Sequence, residues 1–173
     1  MSLFLIGMRG AGKSTAGARA AARLGVPFVD ADALVEARAG CCIGEIFREQ
    51  GEAAFRALER EVLLEELPRP GQVVATGGGC VQDGELRTAL RRFGRVVWLR
   101  ASAPTLAARI LGSDRPSLTG ADPSAELCEV LSRREALYRT CADEIVESEG
   151  RTLEEVASVI EQLWALLPHH QLR

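Results

Sequence analysis

Five short runs of apolar residues recur along the chain, and each is followed by a stretch compatible with a helix. The runs span Leu3–Ile6, Pro27–Val29, Gln72–Ala75, Arg95–Leu99 and Glu144–Val146. Strands that alternate with helices favour a parallel sheet covered by helices on both faces. In such a sheet the carboxyl ends of the strands line the ligand crevice, so candidate functional residues are expected just after each run.

The segments between the runs carry helical patterns with recognisable ends. The predicted helices span Lys13–Leu24, Ala31–Ala39, Ile43–Leu67, Asp83–Arg92, Pro104–Leu111, Pro123–Tyr138 and Leu153–Leu167. Gly51 interrupts the third of these, and the proline-containing segment 68–71 ends it. A polar loop at about 112–122 separates two of the helices. Long loops inside a compact domain are usually functional or disordered, and we expect this one to be mobile.

The composition is that of one globular domain. The 173 residues are 47% hydrophobic and 26% charged, which argues against disorder and against a fibrous protein. The net charge of −3 argues against nucleic acid as a partner. No apolar run approaches the roughly 18 residues of a membrane span, and the N-terminal run lacks the basic segment of a signal peptide, so we expect a cytoplasmic protein without a membrane partner. Five scattered cysteines without a CxxC spacing favour reduced, structural thiols.

The only lysine of the chain, Lys13, lies in a glycine-rich turn between an apolar strand and a helix. The segment Gly7–Thr15 matches the phosphate-binding pattern G-x-x-x-x-G-K-[ST], in which backbone N–H groups and a helix N-terminus hold phosphate. Lys13 is expected to reach the β- and γ-phosphates, and the Ser14 hydroxyl to bind Mg²⁺. The predicted nucleotide-binding residues are Gly10, Ala11, Gly12, Lys13, Ser14 and Thr15.

This motif alone does not separate a small-molecule kinase from a GTPase-like switch or an ATPase module. A guanine-binding protein usually carries an N-K-x-D segment, and the absence of a second lysine excludes that segment here. The third apolar run has no acidic residue at the position where many P-loop proteins carry a metal-linked carboxylate. The three glycines that follow it, Gly77–Gly79, would let a ligand approach the backbone closely, although a plain strand-to-helix turn explains them almost as well.

Two acidic residues, Asp30 and Asp32, follow the second apolar run at the expected crevice. We assign Asp30 to the Mg²⁺ shell, through water, and Asp32 to an acceptor hydroxyl as an orienting group or general base. The alternative is that either carboxylate caps a helix that begins near Ala33, and Asp32 could do both.

Glu52, Arg56 and Glu59 share one helical face because they are spaced i, i+4 and i+7. One interpretation is a surface ladder of ion pairs, which would contribute little to stability. The other is that the two acids hold the Arg56 guanidinium ready for a substrate carboxylate, with Phe47 and Phe55 as walls of the pocket. The spacing leaves both open.

Together these motifs resemble the shikimate kinase family. The resemblance rests on the phosphate-binding loop Gly7–Thr15, F-x-D-x-D at Phe28–Asp32, G-E-x-x-F-R-x-L-E at Gly51–Glu59, the Gly77–Gly79 triplet, Arg115-Pro116 and R-x-x-x-Y at Arg134–Tyr138. The motifs are collinear with the family pattern and cover nearly the whole chain. The resemblance implies an α/β, three-layer P-loop fold like that of nucleoside monophosphate kinases. It has a five-stranded parallel sheet flanked by helices, substrate-binding helices at about 31–62 and a lid.

The activity implied by the resemblance is ATP-dependent phosphorylation of the shikimate 3-hydroxyl, with Mg²⁺, in the pathway to chorismate and aromatic amino acids. Asp32 would hold the acceptor hydroxyl, and Arg56 and Arg134 would bind the shikimate carboxylate. The remaining implied contacts are the Gly78 and Gly79 backbone with shikimate, Arg115 of the lid with the transferring phosphate, and Arg109 and Arg151 with adenine.

Two other functions remain open at this point. Another small-molecule kinase of the same fold, such as gluconate kinase, would also need a site for a substrate carboxylate. A nucleotide-sensing module would bind ATP without turnover. We expect a monomer whose partner is the small molecule shikimate.

Overall fold

The apolar runs form five strands in the computed structural model, which describes residues 1–110 and 123–168. The strands are β1 (Ser2–Ile6), β2 (Phe28–Asp30), β3 (Val73–Ala75), β4 (Gly94–Arg100) and β5 (Glu144–Glu147). All five predicted strands are therefore confirmed, with small shifts at their ends. The predicted lid at about 112–122, with Arg115, lies outside the described residues.

Helices fill most of the sequence between the strands. They are α1 (Lys13–Leu24), α2 (Ala31–Ala39), α3 (Ile43–Glu49), α4 (Gly51–Glu66), α5 (Gly84–Phe93), α6 (Ala103–Ile110), α7 (Pro123–Cys141) and α8 (Leu153–Ala165). The predicted interruption at Gly51 is confirmed, because α3 and α4 are separate helices that meet at Gln50. A short 3-10 turn, Cys80–Gln82, precedes α5.

The strands form one parallel sheet in the order β2-β3-β1-β4-β5. The central strand β1 pairs with β3 on one side and with β4 on the other, and Leu5 lies opposite Ala75 and Val97. The chain leaves β1 toward β2 and later crosses back to β4, so the strand order reverses beside β1. Ligands of open α/β sheets bind at such a reversal, which here carries the glycine-rich turn.

Burial follows the layers of the domain. Strands β1 and β3 are buried along their whole length, as expected for a parallel sheet with helices on both faces. Helix α1 packs against α8, β2 and β3, whereas α5 and α7 pack against β4. This arrangement confirms the three-layer α/β fold.

Helices α2, α3 and α4 pack on one another around a second, smaller apolar cluster of Val35, Ile43, Ile46, Phe55 and Val62. This cluster is separate from the main core and supports the side of the crevice that follows β2. Among the described residues, no helix is both long enough and apolar enough to span a membrane.

Candidate active site

The glycine-rich turn after β1 leads into the N-terminus of α1. Gly12 caps that helix with φ +91°, a backbone conformation that side chains other than glycine rarely adopt. The first turn of α1 carries no acidic residue, so the helix dipole there is not offset by a carboxylate of its own turn. The turn therefore has the geometry of an anion-binding site.

Lys13 lies over the same turn. Its Nζ donates hydrogen bonds to the carbonyl oxygens of Gly7 at 2.8 Å and Met8 at 2.9 Å, and the residue is only 8% exposed. These bonds satisfy a buried ammonium and place its charge within the loop that would hold phosphate.

A cavity of about 500 Å³ opens above the turn, and this volume suits a small-molecule site. It is lined by Arg9–Ala16, Asp32, Thr76, Gly78, Arg109, Ser148, Arg151, Thr152, Leu153 and Val156. The structure thus brings together the predicted loop residues Gly10–Thr15 with Asp32, Gly78, Arg109 and Arg151.

The two acidic residues at the junction of β2 and α2 have different environments. Asp30 Oδ1 accepts hydrogen bonds from the backbone N–H groups of Asp32 at 2.9 Å and Ala33 at 3.4 Å, so Asp30 is the N-cap of α2. The helix begins at Ala31, as predicted from its pattern, rather than near Ala33, so of the two candidate caps Asp30 is the one that caps it. Asp32 lies in the first turn and lines the cavity.

Arg56 is held by two acidic residues of its own helix, α4. Its guanidinium donates to Glu52 Oε1 at 3.1 and 3.2 Å and to Glu59 Oε2 at 2.7 Å. Its Cζ also lies 4.9 Å from the centroid of the Phe55 ring, which in turn packs 4.8 Å from the Phe47 ring. The Arg56 side chain is 25% exposed, which favours the interpretation of a guanidinium held in a pocket over a surface ladder.

Glu59 is a buried carboxylate, 2% exposed. Burial raises its pKa, the Arg56 guanidinium opposes that rise, and the Asp32 carboxylate adds to it. Burial lowers the pKa of Arg56, but the acids outweigh it, so the pKa of this guanidinium is raised. Glu59 Oε1 has no hydrogen-bond partner among the described residues. The burial of this acid could not be predicted from the sequence, because its helical spacing fits an exposed face equally well.

The Gly77–Gly79 triplet makes room for this charged pair. A Cβ atom at Gly79 would lie 2.3 Å from an Arg56 guanidinium nitrogen, and one at Gly77 would lie 1.9 Å from Glu59 Oε1. A Cβ at Gly77 would also lie 3.1 Å from Asp32 Oδ1, so the two carboxylates flank this glycine. The triplet is therefore more than a plain turn, because side chains there would displace Arg56 and Glu59.

Helix α7 brings Arg134 and Tyr138 to the same triplet. Arg134, only 8% exposed, donates to the Gly78 carbonyl oxygen at 3.3 Å, and the Tyr138 hydroxyl donates to the same oxygen. Burial raises the pKa of Tyr138, whose ring stacks 5.4 Å from Trp98. Tyr138 was predicted only as part of a motif. Its hydrogen bond to Gly78 could not be predicted, because α7 and the glycine triplet are far apart in the sequence.

Arg109 and Arg151 also line the cavity. Arg109 donates to the carbonyl oxygens of Gly10 at 3.3 Å and Ser148 at 2.7 Å. Ser148 and Thr76 were not predicted, although both follow strands at the sheet edge where the crevice was expected. In the described part of the chain, no three His, Cys, Asp or Glu side chains gather as a metal-binding group.

Comparison with known proteins gives one consistent result. The family model for shikimate kinase matches residues 9–164. The shikimate kinase of Symbiobacterium thermophilum is 42% identical over 167 residues, which cover 94% of this chain and 96% of that protein. The shikimate kinase of Nitratidesulfovibrio vulgaris is 41% identical over 169 residues, which cover 95% of this chain and 94% of that protein. The solved structure of shikimate kinase from Acinetobacter baumannii in complex with shikimate superposes with a TM-score of 0.90 at 34% identity, covering 99% of this chain and 95% of that one.

Proposed function

The chain belongs to the shikimate kinase family, and we propose which of its residues carry the ATP-dependent phosphorylation of the shikimate 3-hydroxyl. It is an enzyme, a phosphotransferase with an alcohol acceptor, and its products are shikimate 3-phosphate and ADP. In phosphoryl transfer, a protein acts mainly by positioning the reactants and by stabilising the charge of the transition state. The site is organised around these two requirements.

The phosphates of ATP bind the turn Gly10–Thr15. The open N-terminus of α1 supports this assignment, since its N–H groups favour an anion. Lys13 moves its ammonium from the carbonyls of Gly7 and Met8 to the β- and γ-phosphates, which are stronger acceptors.

Two oxygen donors suit Mg²⁺, the Ser14 hydroxyl in the cavity lining and the carboxylate of Asp30 at the N-terminus of α2. The Ser14 hydroxyl is exposed and lines the cavity, and Asp30 keeps one carboxylate oxygen that the helix cap does not use. Because Mg²⁺ retains several waters in proteins, Ser14 would bind it directly and Asp30 through water. The ion would neutralise charge that develops on the phosphates during transfer.

The acceptor hydroxyl is oriented by Asp32. Its side chain lines the same cavity as Lys13, so one space holds both the phosphate-binding ammonium and a carboxylate that can accept the hydroxyl proton. The geometry is equally suited to orienting that hydroxyl for in-line attack on the γ-phosphate.

The shikimate carboxylate binds between Arg56 and Arg134. Both guanidinium groups reach the Gly77–Gly79 triplet, Arg56 beside Gly79 and Arg134 at the Gly78 carbonyl. The backbone N–H groups of Gly78 and Gly79 add donors where no side chain intervenes. Two arginines and two amides suit a small, planar anion.

The adenine ring lies between Arg109 and Arg151, which both line the cavity. Arg115 is assigned to the transferring phosphate on the resemblance alone. Replacement of Arg115 by Ala should then lower kcat by orders of magnitude, with a smaller effect on substrate binding.

The observation that carries the proposal is a cavity shared by the phosphate-binding turn, Asp32 and Gly78. A coupled assay of ADP release with shikimate, with gluconate and without an acceptor tests it. We expect turnover with shikimate only, and NMR of the product should place phosphate on the 3-hydroxyl. Turnover with gluconate would indicate another kinase of this fold, and binding of ATP without turnover would indicate a sensing module.

We also propose that the enzyme is a cytoplasmic monomer. The chain has a mass of 18.6 kDa, so light scattering coupled to size-exclusion chromatography distinguishes a monomer from a dimer directly. Fractionation of cells that express the chain with a small tag tests the compartment.

A further inference from the structure

Arg109, in the last turn of α6, joins two walls of the nucleotide cavity. Its guanidinium donates to the Gly10 carbonyl of the phosphate-binding turn at 3.3 Å. It also donates to both oxygen atoms of Ser148, at 3.1 Å to Oγ and at 2.7 Å to the carbonyl. Ser148 follows β5 and begins the loop that carries Arg151 into the cavity lining. One exposed side chain therefore bridges the phosphate-binding turn and the loop of Arg151.

The hydroxyl of Ser148 is oriented to accept a hydrogen bond from this guanidinium. The residue is 2% exposed, and its Oγ donates to the Arg100 carbonyl oxygen at 3.1 Å. The Ser148 backbone N–H donates to the same carbonyl at 2.7 Å, which fixes the residue against β4. Because the hydroxyl proton points to Arg100, the oxygen presents its lone pairs to Arg109.

We propose that Ser148 is a positioning residue for ATP that acts through Arg109. The inference rests on the proposed place of Arg109 in the ATP site. A long, exposed arginine has many rotamers, and a buried acceptor that restricts them lowers the entropy lost when nucleotide binds. The hydrogen bond from Arg109 to the Ser148 hydroxyl has a charged donor, so its loss should leave the Arg109 side chain measurably less restricted. The effect should fall on nucleotide affinity, since neither Ser148 nor Arg109 makes a hydrogen bond to Arg56 or Arg134 in the described structure.

Thr105 offers a matched control on the same helix. Its Oγ1 donates to the Glu149 carboxylate at 2.6 Å, so it also fastens α6 to the loop after β5. Thr105 makes this contact one turn before Arg109, and no hydrogen bond joins the two side chains in the described structure. Thr105→Val removes a neutral hydroxyl from the same junction, as Ser148→Ala does, but leaves the acceptor of Arg109 in place.

The experiment compares Ser148→Ala, Ser148→Thr, Thr105→Val, Arg109→Ala and the double variant Ser148→Ala/Arg109→Ala. Calorimetry gives the Kd of ADP, steady-state kinetics give kcat and the KM of ATP and of shikimate, and thermal unfolding gives Tm. We expect Ser148→Ala to raise the ADP Kd and the ATP KM about five- to tenfold, with kcat and the shikimate KM within about twofold of wild type. Ser148→Thr, which keeps the hydroxyl, and Thr105→Val should bind ADP like wild type.

The double variant decides whether Ser148 acts through Arg109. If it does, the double variant binds ADP no more weakly than Arg109→Ala alone. Additive losses in the double variant, an equal loss in Thr105→Val or a matching rise in the shikimate KM would each overturn the inference. If Arg109→Ala binds ADP normally, the inference fails together with the proposed role of Arg109. Phosphorylation of shikimate by the wild type is scored separately, so that result leaves the enzyme's activity standing.

Discussion

The Glu59 carboxylate lies under the Arg56 guanidinium and accepts from it a hydrogen bond of 2.7 Å, while its second oxygen faces Gly77 without a partner in the described structure. A buried acid held this way compensates the charge of the arginine that would bind the substrate carboxylate. The same pair determines which residues can occupy the glycine triplet beside it.

The stability of the protein should depend on pH through Glu59. Burial raises the pKa of this carboxyl above its unfolded value, so the folded chain keeps the proton to higher pH than the unfolded chain does. The stabilisation from Glu59 is fully present below the ordinary glutamate pKa and is lost as pH rises through the raised value. In urea unfolding, the wild type should therefore lose stability relative to Glu59→Gln as pH rises above the ordinary glutamate pKa. A difference that stays constant with pH would contradict this.

Gly79→Ala should weaken shikimate binding. The new Cβ would lie 2.3 Å from a guanidinium nitrogen of Arg56 and would push that group out of place. Overpacking of this kind should raise the shikimate KM about tenfold or more, with the ATP KM little changed. Gly84→Ala, at the start of α5, is the control, since its Cβ would meet only the end of the Arg87 side chain at 3.5 Å. Equal effects of the two substitutions would show that the triplet does not position Arg56.

Arg56→Ala and Arg134→Ala should each raise the shikimate KM steeply. Loss of one partner of a desolvated charge pair costs about 2–5 kcal/mol, which corresponds to at least about 30-fold in KM. The ADP Kd, measured by calorimetry, should stay near the wild-type value. Arg48→Ala provides the comparison, because Arg48 lies on α3 with a side chain that is 69% exposed and should have no effect. A parallel loss of ADP affinity would mean that the carboxylate pocket is misassigned.

Four of the five thiols should fall into a reactive pair and a protected pair. Cys42 and Cys128 are exposed, whereas burial raises the pKa of Cys80 to about 12 and that of Cys141 to about 11. Because the thiolate is the reactive form, iodoacetamide at neutral pH should modify Cys42 and Cys128 in the folded protein and leave Cys80 and Cys141 untouched. Peptide mass spectrometry gives the sites, and labelling in urea should reach all five. Rapid native labelling of Cys80 would contradict the packing of the triplet.

The sequence predicted the elements of this fold well because its apolar runs and glycine-rich ends are local features. It left open which acid caps α2, since Asp30 and Asp32 are both good caps and only the position of Ala31 in the helix separates them. It also left open the role of the glycine triplet. That role depends on Arg56 and Glu59, which reach the triplet from another helix, and no local pattern encodes such an approach.

Ser148 is a second residue whose role could not be predicted from a local pattern. A serine after a strand is common, and its value as an acceptor appears only once α6 delivers Arg109 to it. Residues joined by tertiary contacts of this kind are found by structure, whereas the phosphate-binding turn is found by its spacing.

The single lysine of the chain, Lys13, offers a way to detect opening of the phosphate-binding turn. Because no other lysine occurs in the chain, a protease that cuts only after lysine can cleave it at a single bond, between Lys13 and Ser14. That bond lies at the start of α1, with the lysine side chain held by Gly7 and Met8. Digestion by such an enzyme would split the chain only in molecules whose phosphate-binding turn has opened, and the yield of the two fragments would count those openings over time.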